Sequence, residues 1–169
     1  MYNMEYFEIY LNSADALFGS TTPHSCRFNL GTVNNFVPNA QIYQNNNCCY
    51  VKVKYFSVEE TVTAFNTLTV GTLLIEMGGG QPNSIKSNLM AVGSTNMEQS
   101  NIIGLVPTNI TKNTYSTSSY ENDYVKAPNI LNGDILINLK DQDGVLLTLT
   151  GSKPWVMLLS VGYEKEHLY

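Results

Sequence analysis

Apolar side chains recur at every second position along most of this chain, and the three- and four-residue spacing of an amphipathic helix hardly occurs. A strand's side chains alternate between its two faces, so such a pattern describes strands with one side in a core and the other outside it. Over residues 6–11, Phe7, Ile9 and Leu11 share one face and Glu8 lies on the other. Over residues 26–30, Cys26, Phe28 and Leu30 oppose Arg27 and Asn29. Over residues 50–56, Val51, Val53 and Tyr55 alternate with Lys52 and Lys54, which predicts that Tyr55 points to the core side. Residues 68–77 are apolar and β-branched and predict a fourth strand that stops at Gly78-Gly79-Gly80.

The second half repeats the pattern with more interruptions. Residues 101–106 and 123–127 predict short strands, closed by Pro107 and Pro128, since proline cannot donate to a ladder and suits a strand end or edge. Residues 89–92 form a further short candidate, while 78–88 and 108–120 read as long polar loops. Residues 135–140 alternate again, and Asp141-Gln142-Asp143-Gly144 predicts a hairpin turn returning over 145–150, because glycine and aspartate tolerate the positive φ that such turns need. Residues 155–163 are apolar on both faces for much of their length, the mark of a strand central to its sheet. About eight or nine short strands at fairly regular spacing predict an all-β sandwich or barrel in one domain over residues 1–169. The long polar loops argue against a simple meander and for a two-sheet jelly roll.

Composition narrows what such a sandwich does. The chain is 43% hydrophobic and only 14% charged, against roughly a quarter charged in ordinary soluble domains. Amides, hydroxyls and apolar atoms must therefore make up more of its surface, and these lose little desolvation energy when a partner covers them. A net charge of -5 with scattered lysines and Arg27 as the sole arginine argues against a nucleic-acid partner, whose phosphates are held by clustered cations. The first ten residues carry two glutamates and no basic cluster, and no apolar run approaches the roughly 18 residues of a membrane helix. We expect no signal peptide, no membrane span and synthesis in the cytoplasm. Cys26 stands alone and Cys48-Cys49 are adjacent, so successive side chains of a strand would hold the pair apart, and reduced thiols are expected.

Tyr6-Phe7-Glu8-Ile9-Tyr10-Leu11-Asn12-Ser13, followed by Cys26-Arg27-Phe28-Asn29-Leu30, resembles the opening of the small single jelly-roll penton, or minor capsid, proteins. That family occurs in large eukaryotic double-stranded DNA viruses, virophages and polinton-like elements. Leu73-Leu74-Ile75-Glu76-Met77 running into Gln81-Pro82-Asn83-Ser84 is similar to later parts of the same family. So is Lys140-Asp141-Gln142-Asp143-Gly144 ahead of Trp155-Val156-Met157-Leu158-Leu159. The resemblance spans residues 5–164 and consists of strand-and-turn patterns without a catalytic signature. It implies a single jelly-roll β-sandwich of two four-stranded antiparallel sheets. It further implies a homopentamer at the icosahedral vertices of a virion, set among double jelly-roll major capsid proteins and other minor capsid proteins. The chain is short for that family, which puts any receptor-binding spike in doubt and leaves open a place at the vertex or that of another minor capsid component.

The chemistry-bearing residues fit this better than they fit catalysis. Asp141-Gln142-Asp143-Gly144 has closely spaced carboxylates, as calcium loops do, but lacks the downstream glutamate and flanking helices, which leaves the hairpin turn. Gly78-Gly79-Gly80 lacks the Gly-Lys-Ser/Thr and helix of a phosphate cradle. Glu59 and Glu60 are adjacent and would point apart in a strand, and Glu164 and Glu166 read, as they do, as solvated charge. His24 and His167 lie near opposite ends, which falls short of a zinc set, a cupin metal set or a serine-type triad. Hence no catalytic residue, metal or cofactor is expected. Eleven tyrosines are the notable excess, and tyrosine is enriched at protein interfaces. Tyr10, Tyr50 and Tyr55 fall in strands and fit an ordinary sandwich, so Tyr115 and Tyr120, in the polar stretch, are the candidate subunit contacts. A lectin-like carbohydrate-binding jelly roll is the competing expectation, weakened by the placing of the single tryptophan, Trp155, in a central strand.

Overall fold

The computed structural model describes residues 4–17, 24–30, 48–58, 72–79, 102–107, 113–116, 124–128, 130, 133–141, 144, 146 and 154–164. They form nine strands: β1 (Met4–Asn12), β2 (Ser25–Asn29), β3 (Cys48–Val58), β4 (Thr72–Gly79), β5 (Ile102–Pro107), β6 (Asn113–Ser116), β7 (Val125–Pro128), β8 (Asp134–Lys140) and β9 (Trp155–Glu164). A short 3-10 turn over Ser13–Asp15 follows β1. The protein is an all-β sandwich of two antiparallel sheets, as the alternation predicts.

One sheet has the order β1-β9-β3-β6, with β7 also pairing β3. β7 pairs with Cys48–Val51 and β6 with Tyr55–Val58, so the two short strands share one row and the sheet is four rows wide. The other sheet has the order β2-β8-β4-β5. In each sheet, then, one of the last two strands of the chain sits between strands from its first half.

The inner faces supply one core. β1 gives Ile9 and Leu11, β3 gives Val51, Val53, Phe56 and Val58, and β9 gives Trp155, Met157, Leu159, Val161 and Tyr163. Opposite them lie Cys26 and Phe28 of β2, Leu73, Ile75 and Met77 of β4, and Ile135, Ile137 and Leu139 of β8. Trp155 ties the layers together: its ring centroid lies 5.8 Å from Phe28 in the second sheet, edge to face, and 5.8 Å from Phe56 in the first. The backbone N–H of Trp155 donates to the buried Ser13 Oγ at 2.9 Å, which pins the start of β9 to the turn after β1. Asn12 caps that turn by accepting from Ala14 N–H at 3.0 Å.

Most expected strands are present within a residue or two, and β9 is central between β1 and β3. Three details differ. β4 does not stop at the glycine run; Gly78 and Gly79 pair with Leu136 and Ile135 of β8, because ladder bonds to a central strand outweigh glycine's weak strand preference. The polar stretch over 108–120 is not all loop, since Asn113–Ser116 forms β6. Tyr55 is not on the core side. A β-bulge between Val53 and Tyr55 spends Lys54 as an extra residue, which turns Tyr55 outward and Phe56 inward.

The Asp141–Gly144 turn is formed: Gly144 N–H donates to Asp141 C=O at 3.0 Å with Gly144 at φ +80°, and Lys140 bridges Leu146 beyond it. Residues 68–71, 80–88, 89–92 and the rest of 145–150 lie outside the described residues.

Candidate interaction surface

The outer face of the β1-β9-β3 sheet is built by cross-strand rows. In one row Tyr6, Gly162, Tyr50 and Lys126 stand opposite each other on β1, β9, β3 and β7. The next row is Glu8, Ser160 and Lys52, and the one after is Tyr10, Leu158, Tyr55 and Ser116 of β6. On β1, β3, β7 and β9 each of these residues adjoins a core or partly buried residue of the same strand, so sequence parity and the Lys54 bulge together decide what this face carries.

The first two rows are covered at their centre, over Gly162, Ser160 and Lys52, while Tyr6 (41% exposed), Glu8 and Lys126 at their ends stay exposed. Tyr124, just ahead of β7, reaches across the sheet: its hydroxyl lies 3.0 Å from Ser160 Oγ on β9, and its ring centroid is 5.3 Å from that of Tyr6 on β1. Lys52 Nζ on β3 stands 5.6 Å from the centre of the same ring. Beneath this cover Lys52 and Ser160 are 3% and 2% exposed, although they sit on the outward side of the sheet. Lys54 pairs with Glu8 across β9, and that hydrogen bond, followed by the Coulombic attraction, raises the Lys54 pKa. Tyr50 donates to Glu164 Oε1 at 2.8 Å. The charged groups here are thus largely matched within the chain.

The third row is open. Tyr10 is 63% exposed and Tyr55 37%, and half-buried Leu158 lies between them. On either side in register are Val156 with its neighbours Asn12 and Ser57, and the Glu8–Lys54 pair. An aromatic–aliphatic stripe beside internally neutralised charge is inexpensive to desolvate, and large amphipathic rings there supply contact area with few rotatable bonds.

The outer face of the other sheet is different in kind. Ser25 Oγ donates to Asn138 Oδ1 at 2.8 Å, Asn138 Nδ2 donates to Glu76 Oε1 at 3.0 Å, and Lys140 pairs with Glu76. Arg27 and Asp134 make a looser pair at 3.6 Å. A polar chain of this sort satisfies itself across β2, β8 and β4.

Of the two tyrosines expected at contacts, Tyr115 lies in β6, opposite Phe56 on the edge row of the first sheet, and not in a loop. Tyr120 lies outside the described residues. The residues that sequence reasoning passed over are Tyr10 and Tyr55. Tyr10 shares the Glu8 side of the β1 alternation, so its outward position was readable; Tyr55 was not, because the bulge shifts its parity.

For chemistry, the placements are these. Cys26 and Cys49 are buried free thiols and Cys48 is a half-buried one, the vicinal pair pointing to opposite faces of β3. Burial pushes the Cys26 thiol up to about 11 and Cys49 up to about 12. Tyr163, hydrogen-bonded to Cys49 in the core, is also pushed up, first by burial. His24 gives its C=O to Leu139 N–H at 2.9 Å, and its buried Nδ1 has no hydrogen-bond partner among the described residues. No three metal-ligating side chains gather among the described residues, and no helix there is long and apolar enough to cross a membrane. Glu59, Glu60, Glu166 and His167 lie outside the described residues.

Neither the family models nor the curated proteins provide a match to this chain.

Proposed function

We propose that this chain is a structural shell protein, a single jelly-roll capsid subunit that closes into a homopentamer at an icosahedral vertex. The observation that carries this reading is the strand order, β1-β9-β3-β6 against β2-β8-β4-β5. Interleaving late strands between early ones in both sheets is what two Greek keys wound into one sandwich produce, and viral shells are a principal use of that architecture. The Tyr10–Leu158–Tyr55 row supports it from the surface side, as an uncharged aromatic stripe suited to a neighbouring subunit. So does the low charge of the whole chain.

The mechanism is geometric. A sandwich offers unlike flanks to its two neighbours, and a contact between unlike flanks closes into a ring when the rotation per subunit divides the circle. Stable closure asks each interface to bury on the order of 1,200–2,000 Å². Within the shell the partners are further copies of the chain, double jelly-roll major capsid proteins and other minor capsid proteins, with no direct hold on the genome; the location is the virion. Negative-stain electron microscopy of the purified protein tests the ring. Five-membered rings are expected, and a field of single subunits at high concentration overturns the reading.

One observation favours a second reading, a lectin-like module: Tyr10 and Tyr55 form an exposed aromatic platform on a sheet face. Trp155 does not contribute to it, being fully buried between Phe28 and Phe56. A glycan array separates the two, since a strong hit abolished by Tyr10→Ala establishes the module and a blank array favours the shell.

A further inference from the structure

We draw no further inference here: the strongest candidate, the open Tyr10–Leu158–Tyr55 row on the outer face of the β1-β9-β3 sheet, belongs to the surface already described, and nothing in the structure shows what covers it.

Discussion

Tyr6 lies across its cross-strand partner Gly162 so closely that a Cβ added to the glycine would stand 2.8 Å from Cε1 of the ring. The absence of a side chain on β9 at this point lets the ring rest on the sheet and meet Tyr124. Gly162→Ala forces the ring away and loosens that contact, at a cost of about 1–3 kcal/mol. Chemical denaturation of Gly162→Ala, Tyr6→Ala and the double variant measures it. Because both changes act on one contact, the double variant is expected to lose clearly less stability than the two single losses combined.

Tyr124 carries the cover over Lys52. Removing it with Tyr124→Ala uncovers a lysine that is 3% exposed in the intact protein. Acylation footprinting read by mass spectrometry is expected to find Lys52 protected in the wild type and modified in the variant. Equal protection in both would show that Tyr124 is not what closes this face.

Trp155 is the joint between the layers. Trp155→Ala opens a large cavity between Phe28 and Phe56 and is expected to cost about 3–5 kcal/mol, with loss of the near-ultraviolet circular dichroism of a fixed aromatic core. Trp155→Phe keeps contact with both rings and should lose less than half of that.

The buried thiols predict both reactivity and an alkaline limit. Alkylation at pH 8 should mark Cys48 alone until denaturant exposes Cys26 and Cys49. Both buried thiols titrate from an ordinary 9.0 to about 11 and about 12 in the fold, because burial disfavours the thiolate. A raised pKa means that the folded state holds its proton longer than the unfolded chain does. The associated stability is therefore complete below about pH 9 and is lost as pH climbs from 9 through 12. Cys49→Ala should flatten the alkaline limb of a stability–pH profile without changing its neutral plateau by the same shape.

Much of the fold was legible because its strands contrast two environments. β1, β2 and β8 alternate apolar and polar residues, and each alternation maps directly onto an inner and an outer face. β9 reads apolar on both faces since it lies between β1 and β3, with Ser160 under the Tyr124 cover. β6 was hidden, because Asn113-Thr114-Tyr115-Ser116 has no apolar rhythm and is held by backbone pairing with β3. The bulge at Lys54 was hidden as well: it needs no glycine or proline to announce it, yet it moves Tyr55 from one face to the other. The candidate surface was half readable for that reason. Tyr10 follows from parity alone, Tyr55 only from the bulge, and the reach of Tyr124 over three neighbouring strands only from three dimensions.

Native mass spectrometry of the isolated protein, beside a Tyr10→Ser/Tyr55→Ser variant, bears most directly on the proposal that this sandwich exists to be covered by its own copies. The expected spectrum is a complex of five times the 18.8 kDa chain for the wild type, reduced or absent in the variant. A lone subunit at every concentration, for a wild type that is folded and pure, would contradict it.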